Sequence, residues 1–399
     1  MENIAYFCIV KQLENIFRIL LASFLGLLIS LHTSTKAYAD EDYSQVDISL
    51  ITCTPHEEVY SLYGHTAIRF HDKKTGFDAV YNYGIFNYQK PFFVLRFMFG
   101  LTDYELGIAP TRGFCRYYYD WGSEVSEQVL NLTPAEKKQI KAALDLNARR
   151  ENRIYRYNFF YNNCATRPRD IIEANIDGKI VYAERKDYEP SYREMIHEHT
   201  ATHRWAAFGN DLLLGFKADM KTNQRQQHFL PKNLSYDFAR AEIVSENGAR
   251  PLIKAHNVLV PARQQKPMSG FPLSPTVTII VFLLVPCAII FYQEHKKRKI
   301  YKAFDVLLML ITGLMGLILA LMFFSEHPAT STNLQVLLLN PLSLLYIYKV
   351  AKGRHTHWFK LNTAFIVLFL LGAFIQDYAE GMEIVALCLL SRCWIHRHD

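Results

Sequence analysis

The chain has 399 residues, half of them apolar, 14% aromatic and 21% charged. That balance excludes a disordered chain or a coiled coil, and the length allows two or three domains. A net charge of +6 hints at nucleic acid, but the same cations suit the inner flanks of membrane helices. A mean hydropathy near zero is high for a soluble enzyme and low for a transporter, so it averages two unlike halves.

Residues 1–39 read as an export signal: Lys11 and Arg18, an apolar stretch at 19–31, then the small-x-small pattern Ala37-Tyr38-Ala39 before Asp40. The competing reading is an uncleaved anchor helix. Residues 59–71 read as a strand, Lys73 to Gly76 as a tight turn, and 77–84 as the returning strand. A two-residue turn makes partner numbers sum to 149, which places His65 opposite Gly84 with Asn82 diagonal to it on the same face; a one-residue change in the loop puts Tyr81 or Tyr83 there instead. Phe92, Phe93 and Phe97 lie in an exceptionally apolar stretch that is either core or a segment dipping into a bilayer. Further strands are expected around 113–120 and 124–132. Thr133 caps a helix running to about 148, with Pro134 at its first position and Glu136 completing a capping box. A short strand then leads to Asn162 or Asn163 as cap of a helix beginning near Cys164, because Pro168 is tolerated only in a first turn.

Residues 40–268 contain no apolar run able to span a bilayer, and 269–275 read as a linker. Five apolar segments follow within 276–399: 276–292 (interrupted by Pro286), 306–324, 334–348 (containing Asn340-Pro341), 361–375 and the short 383–395. The loops after the first and third, and the tail after the fifth, carry the Lys and Arg residues, whereas 325–333 and 376–382 carry none. The positive-inside rule therefore places residues 40–272 outside the cytoplasmic membrane, in the periplasm, with the C-terminus cytoplasmic. The basic clusters are thereby topological, and no nucleic-acid partner is expected.

Of seven cysteines, Cys8 leaves with the signal and Cys287, Cys388 and Cys393 lie in apolar segments. Cys53, Cys115 and Cys164 remain outside, an odd count that suggests one disulfide and one free thiol. A thiol at a helix N-terminus faces the positive end of the helix dipole and free N–H groups, which favour thiolate. Cys164 has that setting. His65 can complete an ion pair with it and Asn82 can fix the imidazole tautomer. Cys53 and Cys115 are then the expected disulfide. Arg69, Arg167 and Arg169 are head-group candidates or ion-pair partners of Asp170 and Glu173. Asn163 is a further candidate for substrate contact. Glu326, His327, Asn333 and Asn340 sit at the outer ends of the second and third spans as functional candidates or hydrogen-bonding residues. His71, His197, His199, His203 and His228 have no metal-ligand spacing and read as surface residues; no metal is expected.

YGHTAIRF followed in the chain by NNCATRPRD resembles a permuted papain-like arrangement of the NlpC and lecithin:retinol acyltransferase type. The long motifs ITCTPHEEVYSLYGHTAIRF, ENRIYRYNFFYNNCATRPRD and FFSEHPATSTN with LNPL are similar to the Bacteroidetes lipoprotein N-acyltransferase family, Lnb. His56 departs from the pattern, where relatives have Gly. The resemblance implies an α+β papain-like domain followed by an all-α membrane bundle. It also implies acyl transfer from a phospholipid, through a thioester on Cys164 with His65 as base, to the α-amino group of a diacylglyceryl lipoprotein, without cofactor. The alternatives are a membrane-anchored amidase or peptidase acting on peptidoglycan and a non-catalytic sensor or scaffold.

Overall fold

A computed structural model describes residues 42–265 and 270–397; the expected export signal and residue 269, the first of the expected linker, lie outside the described residues. Seven antiparallel strands form the main sheet in the order β10-β5-β1-β2-β3-β4-β6. They are β1 (Val46–Cys53), β2 (His65–Asp72), β3 (Asp78–Ile85), β4 (Asp103–Pro110), β5 (Val125–Leu130), β6 (Ile154–Arg156) and β10 (Ile253–Val260). β7 (Lys179–Val181), β8 (Glu242–Ser245) and β9 (Gly248–Pro251) form a second, small sheet. The α+β class expected from the sequence is what the chain adopts.

The helices are α1 (Phe93–Met98), α2 (Thr111–Trp121), α3 (Pro134–Ala148), α4 (Thr166–Ala174), α5 (Tyr192–Thr200), α6 (Arg204–Leu213) and α7 (Pro231–Phe238), followed by five in the apolar half. Strand alternation sorts side chains onto two faces. Ile48, Leu50, Ile68, Phe70 and Tyr81 pack with Ile140 of α3, Ile172 of α4 and Leu234 of α7. Ile51, Cys53, Ala67 and Val80 pack under Phe114 and Tyr118 of α2. The capping box of α3 is present as expected, with Glu136 N donating to Thr133 Oγ1 and Thr133 N to Glu136 Oε2. Residues 113–120 are helical, contrary to the expected strand. Buried Thr111, Phe114 and Tyr118 recur at helical spacing, so one face of α2 covers the sheet.

The apolar half holds α8 (Pro275–Lys297), α9 (Lys302–Met322), α10 (Ser343–Ala351), α11 (Trp358–Gly372) and α12 (Met382–Ile395). α8 and α9 are long and apolar enough to cross a membrane. Pro286 does not break α8. A π turn at Ile280–Leu284 precedes it and accommodates the missing N–H. Residues 334–348, expected as a continuous span, are a 3-10 turn at Leu334–Leu337, an interruption at Asn340-Pro341 and then α10. The interruption is packed against α9, where a Cβ on Gly316 would lie 2.0 Å from Leu339 O, so glycine permits the close approach.

At the basic-loop end, Arg392 of α12 is clamped between Glu294 of α8 and Asp305 of α9, and His396 donates to Asp305 at 2.9 Å. All four side chains are at most 4% exposed. Replacing Arg392 with Leu leaves two buried carboxylates without their guanidinium. Thermal unfolding in detergent should show a loss of roughly 3–5 kcal/mol; an unchanged melting temperature would refute this clamp.

Candidate functional site

The site is built from a helix start and a split ladder. Asn163 is the cap of α4: its Oδ1 accepts the N–H groups of Ala165 and Thr166 at 2.9 Å, and its Nδ2 donates to the carbonyls of Phe159 and Phe229. These four bonds occupy the amide, so Asn163 positions the helix and is not free to hold substrate. Cys164 stands immediately before the first turn, and Pro168 falls within that turn.

His65 opens β2. The preceding Gly64 has φ +74, and a Cβ there would lie 2.7 Å from Cys53 O, so glycine is required for the strand to enter so closely. The β2–β3 register is the expected one, with Ile68 opposite Tyr81 and Arg69 opposite Val80. The turn is wider than two residues, closing with Asp72 N donating to Phe77 O, but the partner sum is the same. The ladder stops at Ile68–Tyr81. Beyond it, His65 Nε2 donates to Asn82 Oδ1 at 2.6 Å, which leaves Nδ1 for the thiol. Cys164 enters the opening beside His65, and His65 and the backbone N–H groups of Thr66 and of Cys164 itself act on its sulfur. Gly84, at φ +101, lies against both side chains: a Cβ there would be in ordinary contact, 3.5 Å from Cys164 Cβ and 3.8 Å from His65 Cε1, so the left-handed backbone is what favours glycine.

Burial works against the thiolate of Cys164, but the charge and hydrogen bond of His65 and the two N–H groups outweigh it and bring the thiol below its ordinary value of 9.0. Burial likewise disfavours the imidazolium of His65. The sulfur facing it and the Asn82 contact prevail, and its pKa is raised above 6.5. The two shifts run in the direction of a thiolate–imidazolium pair. Tyr104, Tyr155 and Tyr157 stand within electrostatic reach of Cys164. Sequence reading did not single them out, since aromatic residues in strand-like runs read as core.

Other expected residues lie elsewhere. Arg69 is held by Asp78 at 2.7 Å and Glu127 at 2.8 Å, and is unavailable to a head group. Arg167 stacks over the ring of Tyr155 at 3.8 Å and donates to Asn162, while Arg169 pairs with Asp170. Glu326 pairs with Arg156, and His327 Nε2 donates to Phe97 O at 2.8 Å, so both tie the sheet domain to the membrane half. Asn333 does the same through Leu212 O. Asn340 is buried at the interruption before α10, where it accepts Leu342 N. Cys53 and Cys115 are both free, contrary to the expected disulfide. Cys53 pairs with His65 across the strands, whereas Cys115 feels the charges of Arg69, Asp78 and Glu127. Cys53 is buried beneath Tyr118 within the cluster under α2, and Cys115 lies partly buried at that cluster's edge. His228 is fully buried against Asp237 at 2.8 Å, not on the surface, because Asp237 compensates its ring nitrogen. His56 is buried and stacked on Trp121, 4.4 Å between ring centroids. Among the described residues no group of His, Cys, Asp or Glu has the arrangement of a metal site.

One family model, the Lnb N-terminal periplasmic domain, matches residues 34–198, and another, the Lnb transmembrane domain, matches residues 265–398. The chain belongs to the Lnb family. The first Lnb match contains Cys164, His65 and Asn82, and the second contains all five helices of the apolar half. No curated protein and no solved structure matches this Lnb chain.

Alkylation of Cys164 by iodoacetamide should have its pH midpoint below 9.0, because thiolate forms above a lowered pKa. His65→Ala removes the opposing charge and leaves the burial, so the midpoint should move upward and the rate at neutral pH should fall. Mass-spectrometric alkylation rates across pH check this; an unmoved midpoint would count against the ion pair. Gly84→Ala adds a methyl beside both side chains at a left-handed φ. It should slow alkylation on the order of tenfold and cost about 1–3 kcal/mol of stability.

Proposed function

We propose that this protein transfers an acyl chain from a phospholipid to the α-amino group of the lipid-modified N-terminal cysteine of a lipoprotein. The Cys164 sulfur attacks the ester carbonyl. As the tetrahedral intermediate collapses, the ester C–O bond breaks and the His65 imidazolium protonates the departing lysophospholipid oxygen. The resulting thioester is attacked by the lipoprotein amine. His65, now neutral, takes the amine proton, and the thiolate leaves. Asn82 holds the ring so that Nδ1 faces the reacting atoms. The Thr66 and Cys164 N–H groups that face the sulfur are placed to receive developing negative charge. No metal or soluble cofactor is needed.

The observation that carries this reading is an activated Cys–His pair in a domain fastened to the outer ends of lipid-spanning helices. Both lipid substrates then share one leaflet with the thiol. The reading places the protein in the cytoplasmic membrane with residues 40–268 periplasmic and the C-terminus cytoplasmic, as the basic loops require. A peptidoglycan amidase would need at most one tether, and a scaffold would not need the ion pair.

In cells lacking their own N-acyltransferase, wild type should add one acyl mass to a lipoprotein's N-terminal peptide. Cys164→Ala and His65→Ala should add none, and Asn82→Ala should reduce the yield by on the order of tenfold or more. If wild type adds no mass the reading fails, and if Cys164→Ala still adds it the nucleophile is another residue.

A further inference from the structure

The apolar stretch around Phe92 is neither core nor ordinary surface. Phe92 is 76% exposed, Val94 67% and Leu95 50%, all in or beside the short helix α1. Phe92 is also held at φ +56, a left-handed conformation that a bulky residue adopts at a cost. Consecutive exposed side chains of this size mark a surface made for an apolar partner.

The inner side of α1 is fastened to the membrane half. Ser325 Oγ donates to Met98 O at 2.7 Å, Glu326 N to Phe99 O at 3.0 Å and His327 Nε2 to Phe97 O at 2.8 Å. Gly100, at φ +71, admits this contact; a Cβ there would lie 2.9 Å from Glu326 Cβ. The clamping residues immediately follow α9, whose end carries Phe324 at 83% exposure. The apolar side chains of α1 are thus continuous with the lipid-facing surface of a membrane helix, and Lys90 lies exposed beside them.

Behind α1 lies a closed cluster of rings. Successive centroids lie 6.3 Å apart for Phe97–Phe93, 5.5 Å for Phe93–Phe86, 5.0 Å for Phe86–Tyr104, 4.0 Å for Tyr104–Tyr157 and 6.2 Å for Tyr157–Phe97. Tyr104 and Tyr157 of this cluster feel the charge of Cys164, as Tyr155 does. Phe86 follows Gly84, which touches the nucleophile, by two positions.

We propose that α1 is a lipid-entry segment: Phe92, Val94 and Leu95 sit in the outer leaflet and bring a phospholipid acyl chain to the ring cluster between α1 and the Cys164 site. The proposal rests on the acyl-transfer reading for the chain's destination, but the membrane contact stands independently of it.

A photo-cross-linking amino acid at Val94, in full-length protein in membranes of cells fed an alkyne-tagged fatty acid, tests the contact. The control position is Glu246, exposed between β8 and β9. Tagged phospholipid should be captured from position 94 and not from 246. Capture of protein alone, such as a second copy or a lipoprotein peptide, or equal capture at both positions, would overturn the proposal. The double variant Val94→Asp/Leu95→Asp should lower acyl transfer at least tenfold while alkylation of Cys164 by soluble iodoacetamide is unchanged. Undiminished transfer would overturn the entry role. If alkylation also changes, the cross-link decides alone. Failure of the acyl-transfer reading would appear separately, as transfer that persists in Cys164→Ala.

Discussion

A negative sulfur in a partly buried site is unfavourable unless positive charge and donors are brought to it, and much of the sheet domain is arranged around that requirement. α4 begins just after Cys164, at Thr166, and Asn163 spends its whole amide on fixing that end. The β2–β3 ladder opens beyond Ile68–Tyr81, so that Thr66 N–H turns toward the sulfur instead of a strand. Asn82 aligns the imidazole, and Gly84, at a left-handed φ, brings the backbone of β3 against both side chains. Each element gives up a local interaction, a ladder bond or a β-carbon, and the gain appears in the electrostatics of one pair.

Sequence reading reached this pair because its determinants are local. Pro168 limits the helix start to within a turn of Cys164, and the register of one hairpin sets His65 and Asn82 on one face. It stayed correct when the turn proved wider, since pairing depends on the sum of partner numbers and not on the loop. Where tertiary context decides, the sequence was less informative. The aromatic run of α2 looks like strand until its spacing at Thr111, Phe114 and Tyr118 meets a sheet. The Cys53–Cys115 pairing followed from counting, but Cys53 is buried under Tyr118 and both thiols are free. Arg69 could not be assigned to Asp78 and Glu127 without knowing that β1, β2, β3 and β5 are neighbours. His228 is buried because a helix brings Asp237 to it, which no spacing of histidines reveals.

The polar residues at the outer ends of the membrane helices form two fastenings. One holds α1 through Ser325, Glu326 and His327. The other holds the end of α6, where Asn333, Gln335 and Gln376 donate to the carbonyls of Leu212, Asp211 and Leu214. Most of these bonds end on backbone carbonyls, which fixes position without depending on the partner's side chain. Two separated fastenings resist rotation as one would not, so the height and tilt of the thiol over the bilayer are set by the bundle. A single anchor helix on a flexible linker would leave both free.

The shortness of α11 and α12 has a bearing on the lipid itself. Their 15 and 14 residues rise roughly 22 and 21 Å, against a hydrocarbon core of about 30 Å. Leu368, Leu371 and Leu387 expose apolar surface along them. A bilayer meeting a wall that short thins to match it, while α8 and α9 next to it are of full length. Helices of unequal length side by side set unequal demands on bilayer thickness, so acyl-chain length and order in the host bilayer become variables that act on the bundle.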